Sequence, residues 1–186
     1  MRQLHGQSGF AEVFLTDVCV PLTNVVGELN DGWRIAGTSL RLERGTGRGT
    51  QTRLINALHA LGRAVESDGS QAADLQEFGS LRAWTFAYQQ STYALTDLLE
   101  RGGDDGVASS VNKLAWSEVQ TAIYERHLEV LGPDGELTPD LGPTGEFMGM
   151  RRNYWHARAA EIYAGTNEIQ RNIIAERGFG LPKEPR

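Results

Sequence analysis

The carboxylate best placed to do chemistry in this 186-residue chain is Glu43. At 100° per residue, Ala36, Leu40, Gly47, Leu54, Leu58, Leu61 and Val65 fall on one helical stripe, and Glu43 lies within about 20° of Ala36, Leu54 and Leu61. A carboxylate on an inward face loses hydration, its pKa rises, and it becomes able to take a proton near neutral pH. Glu43 is therefore a candidate general base; the alternative is a structural pair with Arg44 or with an arginine of a neighbouring helix. Gly45, Gly47 and Gly49 alternate with Thr46, Arg48 and Thr50, and each glycine costs a helix about 1 kcal/mol relative to alanine. Residues that small let a partner helix or a ligand come close.

Two further segments can hold a ligand through backbone groups. In Tyr163-Ala164-Gly165-Thr166-Asn167-Glu168-Ile169-Gln170-Arg171, Gly165 breaks one helix and Thr166 or Asn167 caps the next. Read locally, this is equally an ordinary interhelical turn. Leu131-Gly132-Pro133-Asp134-Gly135 reads as the C-cap turn of a long helix. His5, His59, His127 and His156 lack metal-ligand spacing, and no phosphate loop, dinucleotide fingerprint or nucleophile elbow is present. Arg151 and Arg152 could meet a phosphate but fit a solvated helix start better.

The elements that must position these residues are mostly helical. Helices are expected near 32–67, 71–101, 105–131, 147–163 and 167–178, broken at Ser67–Ser70, at Gly102–Gly106 and across the loop from Gly132 to Gly145. Long helices with short connections pack as an up-and-down bundle. Before them, Phe10–Pro21 is rich in β-branched residues and reads as a strand bent near Thr16-Asp17, with no second strand to pair it. Lys and Arg total 18 against 24 Asp and Glu, a net charge of -6 that argues against nucleic acid as a partner. The single cysteine, Cys19, excludes an internal disulfide and fits a reducing cytoplasm. The N-terminus has no signal-peptide core, and no run approaches the roughly 18 apolar residues of a membrane span.

In order along the chain stand FAEVFLTDVCVP, LNDGW, LERG, KLAWSE, LEVLGPDG and IYAGTNEIQRNIIAERGFGLP. Together these closely resemble the C-terminal part of the FAD-dependent acyl-CoA dehydrogenases. The resemblance spans nearly the whole chain, is most specific in the last segment and is weak from Ser67 to Val107. It implies a mainly α fold: an up-and-down four-helix bundle with an extra C-terminal helix, preceded by a short β-strand remnant of the middle domain. Residues 1–30 would be the end of the β-domain and 31–186 the bundle domain, with roughly half of a usual family member absent.

The reaction implied is α,β-dehydrogenation of an acyl-CoA thioester, in which a glutamate removes the α-proton and the β-hydrogen leaves as hydride to the flavin. The base commonly follows the tyrosine of the last motif, where this chain has Ala164. In the branch that includes isovaleryl- and long-chain acyl-CoA dehydrogenases, the base stands instead in a Leu-Glu-Arg segment of the first bundle helix. Leu42-Glu43-Arg44 matches it, which makes Glu43 the base and Arg44 its orienting neighbour. By the same match Gly165, Thr166 and Glu168 lie near FAD, and Glu129 and Gly132 serve the cofactor's adenosine end. Glu129 replaces a glutamine, Pro133 replaces a glycine, and Glu77-Phe78-Gly79 lacks the arginine of the family's flavin contact. The resemblance also implies a homo- or heterotetramer, a dimer of dimers, with electron-transferring flavoprotein as acceptor. A flavin-free partner subunit of a heterotetramer, or a related oxidase, are the competing readings.

Overall fold

A computed structural model describes residues 1–42, 48–67, 72–133, 135 and 149–183 of the chain. Its helices are α1 (Gly32–Leu42), α2 (Arg48–Ser67), α3 (Ala72–Glu100), α4 (Ala108–Leu131), α5 (Met150–Ala157) and α6 (Asn167–Ile173). The stripe expected on the first long helix packs where it falls in α2: Leu54, Leu58, Leu61 and Val65 are all buried. They meet Leu81 and Tyr88 of α3, Trp116, Val119 and Ile123 of α4, and Ala157 of α5 in one core. α3 and α4 run antiparallel: Thr92 near the end of α3 meets Asn112 near the start of α4, while Asp74 at the start of α3 pairs with Arg126 late in α4. Gly62 of α2 faces the Phe78 ring so closely that any Cβ there would strike it, which brings α2 and α3 into contact without a side chain between them.

α4 occupies the centre and contacts α2, α3, α5 and α6. Only a narrow stripe through Val111, Glu125 and Glu129 stays exposed, so most of its polar residues are buried along with its apolar ones. Ser109, Ser110, Asn112, Lys113, Ser117, Thr121 and His127 are all buried. Serine and threonine in such a helix satisfy themselves by donating to the preceding turn, as Thr121 does to the Ser117 carbonyl at 3.0 Å.

Three expectations are corrected. Phe10–Pro21 forms no strand; the segment is extended and exposed, and among the described residues the only bridge joins Arg2 to Ser8. Among the described residues no sheet receives its ladder hydrogen bonds, so the β pattern is left without a strand partner there. The bend at Asp17 does occur, with φ of +50°. Ala36, expected on the inward stripe, lies exposed, as does Trp33 at 88% accessible, and among residues 32–37 Ile35 is half-buried over Gly27. The helix expected to run to 163 ends at Ala157 and tightens into a 3-10 turn over Arg158–Glu161, and α6 widens into a π turn over Ile174–Gly178. No helix among the described residues is long and apolar enough to cross a membrane.

Two measurements test this core. Leu61 is fully buried, so Leu61→Ala should cost about 2–5 kcal/mol in urea unfolding, whereas Trp33→Ala should stay within about 0.5 kcal/mol for the chain on its own. Burial pushes the Tyr88 hydroxyl up to about 12, partly offset by its hydrogen bond with Thr92. The unfolded chain ionises this tyrosine near pH 10, so stability should fall as pH rises from about 10 to 12. Tyr88→Phe should remove about 1.4 kcal/mol per pH unit from that slope in alkaline unfolding curves.

Candidate active site

Two segments that stand about fifty residues apart in the sequence meet face to face. KLAWSE lies in the first half of α4, and IYAGTNEIQR forms the turn into α6. Lys113 Nζ donates to Asn167 Oδ1 at 2.6 Å, and Ser117 Oγ reaches the same oxygen at 3.0 Å. The Trp116 and Tyr163 rings lie 5.8 Å apart at 49°. Glu118 pairs with Arg171 at the outer edge. Four residues of one segment thus touch three of the other, which accounts for both occurring in a single chain.

The turn between them is backbone-strained. Ala164 and Gly165 are both left-handed, with φ of +56° and +87°. Alanine in that region costs about 1–2 kcal/mol, so the surroundings must hold it there. Gln170 does so from the core: its Nε2 donates to the Ala164 carbonyl at 3.1 Å and to the Gly165 carbonyl at 3.3 Å. A Cβ on Gly165 would collide with that same nitrogen, so position 165 requires glycine on two counts. Thr166 is the cap expected for the following helix, its Oγ1 accepting from the Ile169 N–H at 3.3 Å. Asn167, the alternative cap, is turned into the core instead.

Charge gathers around this turn. Glu168 is exposed, and its carboxyl is held below the usual range by backbone N–H donation, by the Thr166 hydroxyl, and by Arg171 and Lys113. Lys113 is completely buried, and desolvation lowers its pKa against the opposing pull of Glu161, Glu168 and Glu118. Gln170 Oε1 and Trp116 Nε1 are buried without a hydrogen-bond partner. Tyr163, Ile162 and Ile169 leave apolar surface exposed beside the turn.

The other expected cofactor residues lie elsewhere. Glu129 and Gly132 are sixteen or more residues beyond Lys113 along α4, about 24 Å of helix. There they line an open cleft of about 410 Å³ together with Glu125, Leu128, Gly135, Arg151, Tyr154 and Trp155. Glu129 is exposed and accepts from Arg126 Nη1 at 2.8 Å, and Arg126 also holds Asp74 and Glu77. Gly132, at φ +54°, ends α4 as the C-cap its sequence promised. The chain therefore brings Gly165, Thr166 and Glu168 together and leaves Glu129 and Gly132 at the far end of the bundle. Phe78 of the Glu77-Phe78-Gly79 segment packs on the core and Glu77 pairs with Arg126, so this segment is structural here.

Glu43 and Arg44 lie outside the described residues. Periodicity missed Lys113, Ser117, Asn167 and Gln170, because a search for carboxylates on apolar stripes passes over amides, hydroxyls and a lysine. The signal that could have found Lys113 and Ser117 was a lysine, an asparagine and three serines in the most central helix, all on the side away from its exposed Val111, Glu125 and Glu129. His5 and His156 do meet, edge to face at 5.0 Å, but no group of metal-binding side chains forms among the described residues.

A family model described as acyl-CoA dehydrogenase, C-terminal domain, matches residues 30–179. Acyl-CoA dehydrogenase IpdE1 of Mycobacterium tuberculosis is similar at 37% identity, across 98% of this chain and 46% of that protein. The steroid ACAD Tcur3481-Tcur3483 shares the fold with a TM-score of 0.81 at 22% identity, over 99% of this chain and 48% of that one. The ChsE4-ChsE5 complex from Mycobacterium tuberculosis gives 0.72 at 22% identity, over 89% and 45%. The chain spans about half the length of the curated relatives it matches. With the family model covering most of its length, the chain belongs to the acyl-CoA dehydrogenase family and carries that family's C-terminal helical domain.

Proposed function

We propose that this chain supplies the bundle half of an FAD-dependent acyl-CoA dehydrogenase that oxidises the α,β bond of an acyl-CoA thioester, with Glu43 as base. The observation that carries this reading is Leu42-Glu43-Arg44 within the matched family domain, set against Ala164 where the family's commoner base would stand. Ala164 has no proton-accepting side chain, so a single carboxylate is left to do the work. Glu43 takes the α-proton, and Arg44 orients it by charge-assisted hydrogen bonds.

The residues around the 164–166 turn fit a flavin. Gly165 keeps the turn free of a side chain, Tyr163, Ile162 and Ile169 offer apolar surface for a flat ring, and Thr166 and Glu168 stand beside it with polar groups. FAD, when bound, would accept the β-hydrogen as hydride. Glu129 and Gly132, too far along α4 to serve the same ring, would meet the adenosine end of a cofactor, as expected where flavin spans two subunits.

Residues 1–30 are then the end of a β-domain, which explains an extended apolar segment that finds no sheet in its own chain. A tetramer, a dimer of dimers, supplies the rest, with electron-transferring flavoprotein as the acceptor and the cytoplasm as the setting, where the exposed thiol of Cys19 stays reduced. One observation favours a second reading, a flavin-free partner subunit: the chain spans under half of IpdE1, and two structures of the same fold carry paired names, Tcur3481-Tcur3483 and ChsE4-ChsE5.

Glu43→Gln in the purified assembly separates them. Reduction of the bound flavin by acyl-CoA should slow at least about 100-fold while the flavin absorbance stays. Fast reduction in Glu43→Gln would refute the base, and an assembly in which this chain touches no flavin site would favour the second reading. Oxygen consumption without added acceptor would mark an oxidase.

A further inference from the structure

We propose that Lys113 is a positioning residue for the reaction: its buried ammonium, acting through Asn167, holds the 164–166 turn in the left-handed geometry that presents Thr166 and Glu168. This rests on the reading of that turn as the flavin-facing edge of the bundle. Lys113 is fully buried, and its Nζ lies 2.6 Å from Asn167 Oδ1. An ammonium has donors and no acceptor, so the amide atom it faces must be the oxygen. The ammonium therefore sets which way round the Asn167 amide sits, and Ser117 Oγ at 3.0 Å supports the same orientation. Asn167 directly follows the Thr166 cap, and one turn later Gln170 holds the two strained carbonyls of Ala164 and Gly165. The lysine thus fixes the first residue of the helix at the moment the chain leaves a conformation that alanine does not choose.

A buried charge is an expensive way to fill space, and replacing one by an apolar side chain of similar volume is often neutral or stabilising. Lys113 is kept where Glu118 of α4, Glu161 of the preceding 3-10 turn and Glu168 of α6 attract it and Arg171 opposes. Its cost is understandable if the exact placement of the turn matters more than the stability of the bundle.

The test is hydrogen exchange of the full chain in its native assembly, followed by mass spectrometry of the peptide covering 162–170. Lys113→Met keeps the stem and removes the ammonium. It should speed exchange in that peptide about tenfold or more, while peptides of α2 and α3 are unchanged and Tm stays within about 3 °C. In turnover, kcat should fall at least about tenfold with KM for acyl-CoA within about threefold, the pattern of a misplaced catalytic edge. Ser117→Ala, which removes one of the two donors to Asn167, should give a smaller change of the same kind and serves if Lys113→Met does not fold. Unchanged exchange at 162–170 in a folded variant overturns the proposal. So does exchange that rises equally through α2, α3 and α4, which would make Lys113 structural alone. If the unaltered assembly shows no acyl-CoA-driven flavin reduction, the dehydrogenase reading fails by itself, and the exchange result still decides what Lys113 does.

Discussion

The hydrogen bond from Lys113 to Asn167 ties the bundle core to the strained turn at 164–166. Everything on the α4 side of it is core: Leu54, Leu61, Val119 and Ile123 pack without solvent and fix the position of the α4 backbone. Everything on the far side is a strained turn that would not persist alone, since Ala164 and Gly165 both stand at positive φ. The α4 helix meets that segment through the Asn167 amide, the Trp116–Tyr163 ring contact and the Glu118–Arg171 pair. The tight core thus becomes a constraint on groups at the surface, as preorganised sites require.

The central place of α4 explains why its composition looks so unpromising. A helix with one wet face can sort its residues, polar outward and apolar inward. α4 keeps only a narrow exposed stripe at Val111, Glu125 and Glu129 between α2, α3, α5 and α6, and it must bury serines, threonines, an asparagine and a lysine as well. Each needs a partner. The hydroxyls find theirs one turn back, as Thr121 does, and Thr92 of α3 reaches across to Asn112. Lys113 and Asn112, too long to satisfy themselves locally, bond to other elements instead, as Ser117 also does through Asn167.

This also marks what the sequence made legible. The stripe Leu54, Leu58, Leu61, Val65 was readable because α2 has one buried face, and the periodicity of such a face is a direct record of burial. Thr166 and Gly132 were readable as cap and stop because helix ends demand particular backbone chemistry. Extending the same stripe back to Ala36 failed, since Ala36 is exposed. The Phe10–Pro21 pattern failed for the related reason that a strand is defined by its neighbour as much as by its own residues. Lys113 and Gln170 left no periodic trace at all, because their role depends on a segment about fifty residues away.

The failed strand and the failed inward position of Ala36 share a location. Phe10, Val13, Phe14, Leu15, Val18, Val20, Leu22 and Trp33 are all more than half exposed, and all precede α2. A stable domain rarely leaves so much contiguous apolar surface in water. In α2 the apolar stripe and the burial agree; before it the strand pattern of Phe10–Pro21 and the inward position of Ala36 are not matched by burial among the described residues. The match to the C-terminal domain model begins at residue 30, close to that division. The bundle satisfies its own core, while the apolar residues of the first thirty-odd positions stay exposed, because a β pattern buries its side chains only where a neighbouring strand or sheet face is there to cover them.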